Sequence, residues 1–191
     1  LISIGEKIIG KPLKNEKLTE IMMLSFEGSS LWKKVLETSM HSPAPLTYFD
    51  GCILMAPIVI LRGTQICVDF YSEVLEELEG LSARNEGAVQ DEQVRIYWEG
   101  MPVWGRLRSL AELFAKNQTA VVVSTYCNSW IFDDFEPQNP LESMAYAYTQ
   151  IFINRGENAK LKMIKRLIET FKVDGVVFHD SKTCFNNANN R

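Results

Sequence analysis

What this sequence lacks narrows its function before any motif is read. The longest apolar stretch, Cys52 to Leu61 (CILMAPIVIL), is about half as long as a membrane span requires, and Pro57 interrupts it. A membrane-spanning role is therefore not expected. Basic runs are missing too: the 20 Lys and Arg are scattered among 24 Asp and Glu, for a formal charge of -4. That leaves no electrostatic footprint for nucleic acid. The four cysteines, Cys52, Cys67, Cys127 and Cys184, include no C-x-x-C pair and follow no secretory leader. Reduced cytoplasmic thiols or dispersed metal ligands are the two open readings. The chain opens on Leu1 rather than Met and closes on a polar stretch, which reads as a segment of a longer protein.

What is present describes a globular chain. At 191 residues and 46% hydrophobic content it can bury a core as one large domain or two small ones. From Leu18 to Leu36, Ile21, Leu24, Trp32, Val35 and Leu36 recur at roughly helical spacing, with Gly28-Ser29-Ser30 expected to break the run into two helices. The prolines of SPAPLTYFDG (42–51) predict a loop. Phe70, Tyr71, Val74, Leu75, Leu78 and Leu81 form one helix face, with Glu73, Glu76, Glu77 and Glu79 opposite. The polar stretch SARNEGAVQDEQ then marks a boundary near Gly87, separating a helical segment (1–87) from an α/β segment (88–191).

Beyond that boundary, Val94–Trp98, Ala120–Ser124 and Gly175–His179 are short β-branched and aromatic runs alternating with amphipathic helices. Leu107, Leu110, Ala111 and Phe114 mark one helix face. Leu141, Met144, Ala145, Tyr148 and Phe152 mark a second, and Leu161, Ile164, Leu167, Ile168 and Phe171 a third. Strands separated by helices pair in parallel, so the expected fold is α/β, a flavodoxin-like, doubly wound parallel sheet preceded by a helical segment.

In such a sheet, ligands bind beyond the carboxyl ends of the strands. The three exits here read EGMPVWG, TYCNSW and DSKTCFNN, so Cys127 and Cys184 fall in equivalent loops. Cys52 and Cys67 sit in apolar surroundings and read as core. Cys127 is open between core and ligand, whereas the polar neighbours of Cys184 favour a functional thiol. Glu99 and His179 are candidate catalytic groups, each set against a plainer reading as a loop carboxylate and a hydrogen-bonded strand-end histidine. No exit carries G-x-G-x-x-G or G-x-x-x-x-G-K-[ST], which ranks a flavodoxin-like nucleotide binder lower.

The series RIYWEGMPVWGRLRSLAELF, VVVSTYCNSWIFD, PLESMAYAYTQIFINR and VDGVVFHDSKTCFNNANNR resembles the benzoyl-CoA reductase and 2-hydroxyacyl-CoA dehydratase family, and within it benzoyl-CoA reductase-type subunits. The likeness is most specific in the Cys184 stretch. It implies a pair of homologous subunits, each holding a [4Fe-4S] cluster, with electrons supplied through a ferredoxin-type donor and an ATP-hydrolysing iron-sulfur activator. The implied substrate is a coenzyme A thioester, reduced one electron at a time in the cytoplasm, with an aroyl-CoA such as benzoyl-CoA expected first and a 2-hydroxyacyl-CoA as the alternative. Low cluster potentials suit that chemistry. Carried over by residue, Cys184 matches a cluster-ligating cysteine and Cys127 is a weaker candidate. Trp104, Ser124, Thr125 and Tyr126 would line the substrate edge with Glu99. The family's other ligating cysteines belong to an amino-terminal region this chain does not contain, and Phe185 stands where the pattern has Pro, so the 191-residue piece is expected to be inactive by itself. A cluster-free thioester-binding or assembly domain of the same family is the competing class.

Overall fold

The computed structural model describes residues 2–134, 136 and 138–180. Its centre is a three-stranded, all-parallel sheet in the order β2-β1-β3, made of β1 (Val94–Glu99), β2 (Thr119–Ser124) and β3 (Gly175–Phe178). These are the three runs read from the sequence. Ile96 pairs with Val121 and Tyr97 with Val123, so Val122 is the extra residue of a bulge. On the other side Ile96 pairs with Gly175 and Glu99 with Phe178.

Period-two alternation sorts the strand side chains onto two faces. Ile96, Trp98 and Val121 pack with the helix Leu107–Lys116, which joins β1 to β2. Tyr97, Ala120, Val122 and Val123 pack instead with Leu167 and Phe171, at the end of the helix Glu157–Thr170 that precedes β3. Each crossover thus covers a different face, as a doubly wound sheet requires. The chain moves to one side of β1 and then returns to the other. Its topological switch point therefore lies between the carboxyl ends of β1 and β3.

The helical layer comprises α1 (Ile2–Ile9), α2 (Asn15–Glu37), α3 (Tyr48–Leu54), α4 (Ala56–Ile60) and α5 (Gln65–Ala83). Continuing in chain order, α6 is Leu107–Lys116, α7 Thr125–Asn128, α8 Pro140–Thr149 and α9 Glu157–Thr170. The face expected on α5 is the one it turns inward, with Tyr71 and Leu78 buried and its glutamates exposed. One apolar core unites Trp32, Tyr48, Cys67 and Tyr71 with Trp98 and Val121, so residues on both sides of Gly87 pack together.

Three local expectations are corrected. Gly28-Ser29-Ser30 does not break α2, which runs unbroken for 23 residues. Gly28 and Ser29 are buried where α2 meets α5, and a Cβ on Gly28 would come within 3.4 Å of Cys67 Sγ and 3.5 Å of Ile58. Small residues there permit close helix packing, and that tertiary gain outweighs the weak helix propensity of Gly and Ser. The loop at 42–51 ends earlier than its prolines suggest. Thr47 caps α3 by accepting from the Asp50 backbone N–H, while the Asp50 carboxylate accepts from the Thr47 backbone N–H at 3.1 Å, a reciprocal capping box. On α8, Leu141, Met144 and Tyr148 are exposed, and Ser143 and Ala147 are buried instead. The apolar period is present, but the small residues allow closer approach and take the inner face.

Candidate functional site

β1 delivers Tyr97 and Glu99 to the same face of the sheet, two residues apart, and both are buried. β2 ends at Ser124, whose hydroxyl caps α7 by accepting from the Cys127 backbone N–H at 3.1 Å. That cap starts α7 abruptly and turns Thr125 towards β1. The Thr125 hydroxyl donates to Glu99 Oε2, and the Tyr97 hydroxyl shares a hydrogen bond with Thr125 Oγ1. With the Thr125 hydrogen on Glu99, Tyr97 is the donor to Thr125, and the same Tyr97 hydrogen has Glu99 Oε2 as a second, longer acceptor at 3.3 Å. Burial, and then the neighbouring Glu99 charge, push the Tyr97 phenol well above its ordinary pKa, so it remains a neutral donor. The result is a carboxylate held by two hydroxyls at the carboxyl end of the central strand. Such a chain can pass a proton between its members.

β3 contributes from the other side of the switch point. The His179 backbone N–H donates to the Glu99 carbonyl at 2.9 Å, extending the β1–β3 pairing one residue past the strand. The imidazole Nδ1 lies 2.6 Å from the Met101 carbonyl. A carbonyl only accepts, so Nδ1 carries the hydrogen and, in the neutral ring, Nε2 keeps its lone pair. This close approach depends on Gly100, which has φ +101° and whose Cβ, if present, would lie 2.5 Å from the His179 carbonyl oxygen.

The segments after β1 and β2 also carry part of an aromatic row. Trp104, half exposed in the turn after β1, meets Tyr126 edge-on at 6.2 Å, and Tyr126 meets Phe152 at 6.2 Å. Trp104 and Tyr126, expected together on the substrate edge, are neighbours. Ser124 reaches the same edge, with its hydroxyl engaged in the cap.

The three cysteines among the described residues are all buried. Cys127 is buried, with its carbonyl accepting from Trp32 Nε1 at 3.1 Å, and its thiol neighbours Cys52 and Gly51. A hydrogen bond with Cys127, and then burial, push the Cys52 thiol far above its ordinary pKa. Cys67 is buried beneath Gly28, as expected of a core thiol. Among the described residues, no three His, Cys, Asp or Glu side chains converge to hold a metal ion. Cys184, the cysteine that the family resemblance matches to a cluster ligand, lies outside the described residues. Sequence reasoning missed Tyr97, which it counted only as strand, although its i, i+2 relation to Glu99 was a usable signal. It had no means of pairing Cys52 with Cys127.

A doubly wound parallel sheet with polar and aromatic residues on its strand exits defines an α/β segment, and comparison with known proteins narrows that class. Residues 1–190 match the family described as 2-hydroxyglutaryl-CoA dehydratase, D-component, and the chain belongs to that family. It is 31% identical to the (R)-2-hydroxyisocaproyl-CoA dehydratase alpha subunit of Clostridioides difficile, over 94% of this chain and 44% of that one. It is 30% identical to the alpha subunit of lactoyl-CoA dehydratase from Anaerotignum propionicum, over 96% of this chain and 44% of that one. Identity to a benzoyl-CoA reductase subunit of Thauera aromatica is 24%, over 96% of this chain and 45% of that one. The chain thus spans a little under half the length of these relatives. No helix among the described residues is long and apolar enough to cross a membrane.

Proposed function

We propose that this chain is part of a subunit of a cytoplasmic enzyme that acts on a coenzyme A thioester, with 2-hydroxyacyl thioester dehydration as the reaction. Two dehydratase alpha subunits at 30% and 31% identity, against 24% for the benzoyl-CoA reductase subunit, support dehydration over the aroyl-CoA reduction first expected. Reduction of an aroyl-CoA is the second reading, favoured by the row Trp104–Tyr126–Phe152, which offers flat apolar surface to a ring. The observation that carries an enzymatic role is the buried Glu99 carboxylate bound by Thr125 and Tyr97 at the carboxyl end of β1.

In this reading Glu99 and His179 handle protons. Glu99 exchanges one along the Thr125–Tyr97 hydroxyls, and His179, fixed through Nδ1 on Met101, presents Nε2 as base or donor. Trp104 and Tyr126 pack against the acyl group and exclude water. A [4Fe-4S] cluster in the parent protein would supply low-potential electrons, with Cys184 as its candidate ligand from this segment. A sister subunit, an ATP-hydrolysing activator and a ferredoxin-type donor complete the proposal.

The test is anaerobic iron and acid-labile sulfide analysis with EPR on the full-length parent and its Cys184→Ala variant, followed by turnover of 2-hydroxyacyl-CoA and benzoyl-CoA substrates with reduced activator and ATP. A cluster signal lost in the variant, together with loss of water from the 2-hydroxyacyl thioester, is the expected result. An iron-free parent would leave the cluster-free thioester-binding or assembly role standing. Ring reduction alone would restore the aroyl-CoA reading.

A further inference from the structure

A second polar concavity lies on the α9 face, between the second half of α2, the segment following α7, and α9, with a volume of about 290 Å³. Three cations border it: Lys33 from α2, Arg166 from α9 and Arg155 from the turn between α8 and α9. Two carboxylates, Glu37 and Asp133, border it as well. Asp133 is engaged by Lys33 at 3.4 Å.

Arg155 is the unusual member. Its Nη2 donates to Gln150 Oε1 at 3.1 Å, and its Nη1 meets the Met163 thioether, a weak acceptor, at 3.6 Å. Its Nε is buried and has no hydrogen-bond partner among the described residues. A guanidinium carries five N–H donors in a planar fork, and leaving a buried charged donor unsatisfied costs more than leaving a neutral one. An oxyanion is the group that matches this fork, two bonds at a time.

We propose that this concavity is an anion subsite in which Arg155, assisted by Arg166 and Lys33, binds a phosphate-class group. The volume is at the lower bound of ligand pockets, so it suits one phosphate or diphosphate rather than a whole nucleotide. The anion arrives either free or as part of a larger nucleotide-bearing ligand whose remainder lies outside. The subsite does not depend on which thioester chemistry the switch-point residues perform.

The test is calorimetric titration of the intact subunit with inorganic phosphate, with diphosphate and with coenzyme A, at low and raised salt. The proteins compared are wild type, Arg155→Gln, Arg155→Lys and Arg166→Gln, each checked for folding by circular dichroism. Diphosphate binding that weakens about tenfold or more in Arg155→Gln is expected, the loss of one charge-assisted hydrogen bond. Arg155→Lys should retain part of it, because the charge persists without the fork. Coenzyme A that competes with diphosphate identifies a nucleotide-borne group, and phosphate or diphosphate binding without such competition identifies a free anion; both support the subsite. Equal binding by wild type and Arg155→Gln, or no anion binding at all, overturns it. Should Arg155→Gln fail to fold, the exposed Arg166 carries the decision: unchanged affinity and unchanged salt dependence in Arg166→Gln overturn the proposal.

Discussion

Glu99 and its hydroxyl partners respond differently to removal. Glu99→Gln keeps the shape and deletes the ionisable group, so turnover of the assembled enzyme should fall by about 10²- to 10⁴-fold, the range for losing an acid–base group, while the melting temperature changes little. Wild-type turnover in that variant would remove Glu99 from the chemistry. Thr125→Val is close to isosteric and takes away a hydroxyl that donates to the buried carboxylate. Chemical denaturation should report a stability loss of about 1–3 kcal/mol for it. Glu99, Thr125 and His179 were legible as strand-exit residues, because a parallel sheet sends its loops to one edge. Tyr97 was passed over because an aromatic in a strand reads as packing, although its place two residues before Glu99 puts both on one face.

At the scale of elements, the unbroken α2 yields a paired prediction. The Cβ of Gly28→Ala would make close but tolerable contacts with Cys67 and Ile58. Relief of glycine's backbone entropy should leave that variant unchanged or more stable by up to about 1 kcal/mol. Gly28→Leu must force α2 and α5 apart, at about 1–3 kcal/mol of overpacking strain, measurable by urea unfolding. Equal stability of the two variants would refute the close-packing account of this glycine. The capping box at Thr47 makes the same kind of statement about α3: Thr47→Ala should destabilise by about 1 kcal/mol. The strands, α5, α6 and α9 were readable because their periods are strong and nothing competes with them. α2 and α8 were misread where small residues mattered, since a propensity scale penalises Gly and Ser whereas close packing favours them.

The molecule as a whole buries several phenols that resist ionisation. Tyr48, Tyr71 and Tyr97 all have pKa values raised, first by burial. Each stays protonated in the folded state at a pH where the unfolded chain, with an ordinary pKa of about 10, has released its proton. Their contribution is therefore complete below about pH 10 and is lost as pH rises beyond it, at roughly 1.4 kcal/mol per pH unit for each tyrosine. Urea titrations between about pH 9 and 11, with phenolate absorbance followed in parallel, should show stability falling together with cooperative exposure of phenolate. Phenolate absorbance that develops while the protein stays folded would contradict this burial.

At that same scale, sequence and tertiary structure contributed different things. Hydrophobic period and spacing alone were enough for a parallel α/β sheet, its three strands and the polar edge on which Glu99 and His179 lie, because those properties follow from local alternation and the handed geometry of strand–helix–strand units. Only the folded chain decided that Tyr97 and Thr125 hold Glu99, that Cys127 turns inward to Cys52, and that residues before and after Gly87 share one core. Apart from Tyr97 and Glu99, neighbours on one face of β1, those contacts join positions far apart in sequence. No one-dimensional period encodes the distance between them.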